Sequence, residues 1–374
     1  MNLPRHPTAR AVLTAVAAAS LLLAGACSDA GSPAATGNGA AGDGGKIKIA
    51  LSNSFIGNQW RVEMENVYKA ACAMPPYVDE VECSVYNAGN DVSTQSRQIS
   101  NLISQGVDAI VINAASTSGL NGVVQQACDR GIVVVSFDNT VDNPCGLTVN
   151  TDQVKFGQQL AQFIVDQLKG QGNVVMVTGV AGTGADNDRN KGAKEVFAAN
   201  PGIKVVATYT GMWDSATAQR NTSAQLPNLP KVDGVWVSGG TDGVIKAFAA
   251  ANRPMPVVGG EAENGFRKFM AGLLTPKVTG MSIGQPPFLS VISLELARAV
   301  VKGEHPRESI TIPFPVATSE NMVPGETVFP DLPDSFFADF TDSGPNATVV
   351  LCQEAATDGT PCPGKTLDVK LGTP

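Results

Sequence analysis

The chain has 374 residues, 43% of them hydrophobic and 16% charged, and a formal net charge of −8. That composition is ordinary for a soluble globular protein, and the length suggests two domains. The acidic balance argues against a nucleic-acid partner, which needs a basic face.

Residues 1–27 read as a targeting segment. Arg5 and Arg10 make a basic start, and Ala11–Leu23 is an apolar run too short to span a bilayer comfortably. Small residues follow, Ala24-Gly25-Ala26, ending at Cys27. This end resembles a bacterial lipobox, whose cysteine becomes the lipidated first residue, although Ala24 stands where the common pattern has Leu. The alternative is an ordinary signal peptide, and both mean export. Two acyl chains would anchor the protein stably on the extracytoplasmic side of the membrane. Ser28–Gly45 is Gly, Ala and Ser with almost no large residue, and is expected to be a flexible tether (28–45).

Cys27 aside, six cysteines remain: Cys72, Cys83, Cys128, Cys145, Cys352 and Cys362. An even number in an exported chain reads as disulfides. Connectivity is open on sequence alone, and the three close spacings favour pairing between neighbours. There is no Cys-x-x-Cys, which argues against zinc or redox chemistry.

From Lys46 a rhythm begins. Ile47–Leu51 is a short β-run that breaks into the polar loop Ser52–Gln59. The loop delivers Trp60 and Arg61 at the start of a helix, Trp60–Ala73, stopped by Pro75-Pro76. An aromatic beside a fixed cation suits a polyhydroxylated ligand, the indole covering C–H groups and the guanidinium holding hydroxyls. The plainer alternative makes Trp60 a core residue of that helix. Next come a strand at Val81–Tyr86, a helix at Asp91–Gln105 capped by Asp91 and closed by Gly106, and a strand at Ala109–Asn113. A helix at Ser118–Asp129 and the apolar strand Ile132–Phe137 follow. Alternation at this spacing means βαβ units and a parallel sheet.

The rhythm restarts after Gly146–Asn150. Helices are expected at Gln153–Leu168, Asn187–Ala199, Ser215–Leu226, Gly243–Ala250 and Asn264–Gly272. Strands are expected at Asn173–Thr178, Val205–Tyr209, Gly234–Ser238, Val257–Gly259 and Thr279–Ile283. Gln285-Pro286-Pro287 breaks the last of these. A helix at Leu289–Val301 and a short strand at Ile310–Ile312 complete the regular part. Pro313–Pro374 shows little periodicity and is expected to wrap the surface, pinned by Cys352 and Cys362.

Several stretches, taken in order, now match a family: Ile47–Arg61, Ala109–Asn113 (AIVIN), Val133–Asp138 (VVVSFD), Val180–Arg189 (VAGTGADNDR), Gly259–Glu261 and Ser282–Gln285. Over roughly Lys46–Ile312 the chain resembles the ribose- and galactose-type periplasmic sugar-binding proteins, the substrate receptors of bacterial ABC importers. The Gln59-Trp60-Arg61 form is similar to their galactofuranose-receptor branch. The resemblance implies an α/β fold of two similar doubly wound parallel-sheet lobes joined by a three-segment hinge. Residues 46–151 plus 286–312 would form the N-terminal lobe, and 152–285 plus 313–374 the C-terminal lobe and tail. It also implies that Asn113, Asp138, Glu261 and Gln285 bind ligand at strand ends, Glu261 standing in for an Asp, while Arg189 clamps sugar hydroxyls. Two departures leave ligand identity open. Gly239-Gly240-Thr241-Asp242 occupies the place of an Asn-Asp pair, and Asn139 follows Asp138 where many members carry Arg.

Read for their chemistry, these residues suit a neutral sugar, since amides, carboxylates and Arg forks make strong bonds to hydroxyls. Trp213, like Trp60, stands at a loop-to-helix junction, one in each half, so a ligand could be sandwiched between them. Trp236, within GVWVS, reads as core. The candidate ligand-binding set is therefore Trp60, Arg61, Asn113, Asp138, Asn139, Arg189, Trp213, Asp242, Glu261 and Gln285. Each polar member has a plainer alternative as a cap, a turn residue or a solvated surface charge.

Enzymatic readings find little support. Gly280-Met281-Ser282-Ile283-Gly284 matches the hydrolase elbow G-x-S-x-G, but it lies within a predicted strand, and the only histidines are His6 and His305. No dinucleotide fingerprint or Walker sequence occurs, and a single mature histidine argues against a catalytic zinc. Repressors built on the same two-lobed fold carry an N-terminal DNA-reading helix-turn-helix, where this chain has an export signal and a tether. The expectation is a non-enzymatic, exported and lipid-anchored solute receptor without cofactor or metal. It would be monomeric, bind a monosaccharide or polyol, and work with an ABC permease. A sensory sugar-binding protein coupled to a membrane receptor and a cell-wall glycan-binding or glycan-processing protein are the alternatives.

Overall fold

The computed structural model describes residues 45–339, 342–343 and 347–371. The targeting segment, Cys27 and residues 28–44 of the tether lie outside the described residues. From Lys46 onward the chain is one compact unit.

The first series of elements is β1 (Ile47–Asn53), α1 (Gln59–Cys72), the single turn α2 (Tyr77–Glu80), β2 (Val81–Asn87), α3 (Val92–Gln105), β3 (Ala109–Asn113), α4 (Asn121–Asp129), β4 (Val133–Phe137) and β5 (Leu147–Asn150). The second is α5 (Gln153–Gln167), β6 (Gly172–Thr178), α6 (Gly184–Ala199), β7 (Ile203–Thr210), α7 (Ser215–Gln225), β8 (Gly234–Val237), α8 (Thr241–Ala250), β9 (Val257–Glu261), α9 (Asn264–Ala271) and β10 (Gly280–Ile283). Then follow α10 (Leu289–Lys302), β11 (Ile310–Thr311), β12 (Val316–Thr318), β13 (Asp342–Ser343), β14 (Ala347–Val349), α11 (Gln353–Thr357) and β15 (Lys370–Leu371).

Local chemistry sets many of these ends. Asn58 caps α1 by accepting the Arg61 amide, and Asp91 caps α3 by accepting that of Thr94. Gly106 closes α3 in the left-handed conformation at φ 69°, where a side chain would be strained. All five residues of β3 and of β4 are buried, as a sheet covered on both faces requires.

Two six-stranded sheets result, in the orders β11-β5-β4-β3-β1-β2 and β12-β10-β9-β8-β6-β7. Every pairing within them is parallel except that of β12 with β10. In each lobe the order reverses beside the first strand, between β1 and β3 and between β6 and β8. The carboxyl ends of strands at such a switch point form a crevice where ligands bind.

Some elements were not anticipated. Leu147–Asn150 read as a break between the halves but is strand β5, with only alternate residues buried. Helix α6 starts at Gly184 instead of Asn187, with Asp186 in its first turn favoured by the helix dipole. The tail was expected to wrap the surface and return to the second lobe, and it divides instead. Val316–Thr318 adds an antiparallel edge to the second sheet. Val349, Leu351, Ala355, Ala356, Leu367 and Val369 are buried in the hydrophobic core of the first lobe, with Met64, Val67 and Leu294.

The three neighbouring cysteine pairs are disulfides. Cys72–Cys83 ties the end of α1 to β2, Cys128–Cys145 ties α4 to the loop before β5, and Cys352–Cys362 closes a loop of the tail. Loops of this length correspond to about 3 kcal/mol each in the chain-entropy account.

Helices α5 and α6 meet through glycines. A Cβ on Gly157 would overlap the carbonyl of Arg189, and one on Gly192 the carbonyl of Val154. This contact sets where α6 holds Arg189. We predict that Gly157→Ala forces the helices apart and costs about 1–3 kcal/mol, the usual range for overpacking. Urea unfolding checks this, and a midpoint unchanged from wild type would refute the interlock.

Candidate ligand-binding site

Between the carboxyl ends of the two sheets lies a cavity lined by Asn58, Trp60, Arg61, Asp138, Arg189, Trp213, Glu261, Gln285 and Phe337. Seven of these belong to the sequence-derived set. Asn113, Asn139 and Asp242 do not line it, while Asn58 and Phe337 are additions.

On the first lobe, the cap at Asn58 starts α1 so that Trp60 and Arg61 enter the cleft. Arg61 is 1% exposed. Its Nη1 donates to the Asn53 side-chain oxygen and, at 3.0 Å, to Ser54 Oγ. Its Nη2 lies 3.7 Å from Asp138 Oδ2 and has no hydrogen-bond partner among the described residues. Burial lowers the Arg61 pKa to about 10, against the opposing pull of Asp138 and Glu65, so the group is charged at neutral pH. Trp60 donates its indole N–H to the Gln285 carbonyl at 2.6 Å, so only its ring is left to meet a ligand.

Asp138 follows β4 at φ 55°, a left-handed conformation that Asp tolerates better than most residues. Its carboxylate is fixed by three amides: Asn113 Nδ2 at 3.1 Å, Asn139 Nδ2 at 2.8 Å and Gln285 Nε2 at 3.2 Å. Asn113 and Asn139 thus stand behind Asp138 and orient it. Asn139 also accepts the Ala185 amide at 3.2 Å, a bond from the first lobe to the start of α6 in the second.

On the second lobe Arg189 is 2% exposed and fully engaged. Nε donates to Gln153 Oε1 at 2.7 Å and Nη1 to the Ser238 carbonyl at 2.9 Å, while Nη2 pairs with Glu261 at 3.1 Å. The guanidinium lies over Phe156, 3.9 Å from the ring centroid. Trp213, at φ 54°, donates its indole N–H to Ser238 Oγ at 3.0 Å. Its ring fits a slot left by two glycines. A Cβ on Gly179 would overlap the indole nitrogen, and one on Gly239 would come within 2.9 Å of the ring. The absence of an Asn at position 239 thus has a physical reason: Trp213 fills that space.

Asp242 turns away from the cavity and pairs with Lys246 at 2.7 Å. Sequence reasoning missed Glu263, whose carboxylate accepts the amides of Gly240 and Thr241 and caps α8. It also missed Phe337, which the tail brings in. Gln285 joins the site to the connections between lobes. Its Nε2 donates to Asp138 and Asn150, and its Oε1 accepts from Thr151 at 2.6 Å.

The hydrolase-like motif has structural explanations. Ser282 is buried in β10 and accepts from Arg267 Nε at 2.9 Å, and a side chain at Gly284 would overlap the Asp339 carboxylate.

The cleft holds about 310 Å³ of non-atomic space, open solvent included.

Two doubly wound lobes closing a polar and aromatic cleft at their strand ends define a small-molecule binding protein. Residues 49–305 match the model of the periplasmic binding protein domain, and the chain belongs to that family, whose place is extracytoplasmic. The chain is 31% identical over 251 residues to the xylitol-binding protein of Mycolicibacterium smegmatis, covering 65% of this chain and 70% of that one. It is 24% identical to the ribose import binding protein of Bacillus subtilis over 278 residues, 74% of this chain and 88% of the relative. An ABC transporter solute binding protein from Thermobispora bispora superposes with a TM-score of 0.66 at 34% identity, covering 72% and 84% of the two chains.

Burial lifts the Glu261 carboxyl from 4.5 to about 8; Arg189 opposes the shift, and Glu263 and Asp138 add to it. Its folded-state pKa lies above its unfolded one, so the stability it contributes is complete below about pH 4.5 and lost as pH rises through about 8. We predict that Glu261→Gln makes the fall in unfolding free energy across that window shallower, as read by urea titrations at a series of pH values. Superimposable slopes would sink the assignment.

Proposed function

We propose that the protein is the substrate receptor of an ABC importer and binds a monosaccharide or related polyol in the cleft. The observation that carries this is Arg61 Nη2, a buried donor beside Asp138 with no hydrogen-bond partner among the described residues, on a side chain that lines the cavity together with Trp60 and Trp213. Burying such a group is costly unless something accepts its hydrogen bond, and a ligand hydroxyl does so. Arg61 lies beside Asp138 and Arg189 beside Glu261, each pair within its own lobe, so a guanidinium fork and a carboxyl group meet a ligand hydroxyl together from either side. The relatives named for xylitol and ribose support the same class.

Arg61 and Asp138 come from one lobe, Arg189, Trp213 and Glu261 from the other. A hydroxylated ligand touches both sets only when the lobes are closed, so binding shifts the hinge equilibrium toward closure. A membrane permease then receives the closed form. In this reading Cys27 carries the lipid, residues 28–45 form the tether, and the receptor acts as a monomer.

A thermal-shift screen of sugars, polyols and amino acids tests this. Ligand at a hundredfold its Kd stabilises by about 2.7 kcal/mol, a shift of several degrees. We expect a rise with a sugar or polyol and none with amino acids. For the ligand so found, Trp213→Ala should weaken binding at least tenfold in calorimetry with cooperative unfolding retained. An unchanged Kd would remove Trp213 from the site.

A further inference from the structure

Residues 334–339 lie outside the matched family domain and are held by both lobes. The grip of the second lobe is the firmer. The amide of Asn264 donates to the Phe336 carbonyl and that of Gly265 to the Asp334 carbonyl, both at 2.7 Å, and Ala338 donates to the Ala262 carbonyl at 3.1 Å. Buried Arg267 forms a two-point bond with Asp339, at 2.9 and 2.8 Å. On the first lobe, the buried Glu63 carboxylate of α1 accepts the Phe337 amide at 2.9 and 3.2 Å, and the Phe337 ring joins the core that holds Trp60 and Phe288. The same ring lines the ligand cavity.

We propose that this segment is a strap built into the binding cleft, and that Phe337 is a specificity-determining wall which excludes a ligand longer by one hydroxymethyl group. The size selection rests on the sugar or polyol reading above; the strap does not. Glu63 and the 262–265 segment hold the Phe337 backbone from opposite lobes, so the ring takes its place in the wall as the lobes close. It offers no donor or acceptor, and a hydroxyl driven against it would lose its partners in water without replacement. The polar bonds are supplied elsewhere in the cleft, where Arg61 Nη2 is the donor left without a partner among the described residues.

Calorimetry on the full chain with xylitol, D-sorbitol, D-ribose and D-allose tests the wall. Wild type should bind the five-carbon member of at least one pair more tightly than its six-carbon counterpart. Phe337→Ala, and Phe337→Leu, which keeps most of the core volume, should reduce that ratio tenfold or more. An unchanged ratio, or a wild-type preference for the longer member of both pairs, overturns the size selection. If wild type binds none of the four in calorimetry and no sugar or polyol in the thermal screen, the functional reading falls and takes the selection with it.

The strap has its own ligand-free test. In hydrogen exchange of the full chain, Asp339→Asn should speed exchange at Asn264, Gly265, Phe337 and Ala338 at least tenfold and leave α3 unchanged. Exchange as slow as in wild type at those four amides overturns the strap, whatever the ligand proves to be.

Discussion

Two buried guanidinium groups govern the arrangement of this cleft. An unpaired charge in a protein interior is expensive, and Arg61 and Arg189 are each almost fully withdrawn from water. Each therefore needs acceptors brought to it from several elements. Around Arg61 these come from the end of β1 and the residue after β4; around Arg189 from α5, the end of β8 and the end of β9. The doubly wound topology meets this demand, because it gathers the carboxyl ends of several strands at one crevice. The asymmetry is informative: every nitrogen of the Arg189 guanidinium is engaged, while Arg61, which lines the cavity, retains one without a hydrogen-bond partner among the described residues.

The same requirement explains where the lobes are packed most closely. Arg189 reaches Gln153 and Ser238 only because α5 and α6 approach through Gly157 and Gly192. Trp213 reaches Ser238 only because Gly179 and Gly239 clear its ring. Small residues far apart in sequence thus set the positions of large ones at the site.

This is also where legibility in the sequence ends. Fold class was readable because apolar runs and helix caps alternate regularly, and such signals are local. Strand ends carrying Asn113, Asp138, Glu261 and Gln285 were visible for the same reason. Which of these face the cavity is a tertiary matter. Asn113 and Asn139 support Asp138, and Asp242 is taken by Lys246, its helical neighbour four residues on. β5 was missed because a run of four residues with only two buried is too short to establish a period. The tail was misplaced because its hold depends on backbone amides meeting Glu63 and the 262–265 segment, and those bonds have no signature in side-chain pattern.

Gln285 brings the argument back to motion. It lies where the chain passes from β10 to α10, one of the connections between lobes. Its carbonyl holds Trp60, one end of its amide holds Asp138, and the other meets Thr151, on the connection between β5 and α5. Two of the crossing segments and two residues lining the cavity therefore share one side chain and its carbonyl. In this geometry the Asp138 carboxylate, the Trp60 ring and both connections are joined through one direct chain of hydrogen bonds, without a relay through either lobe's core.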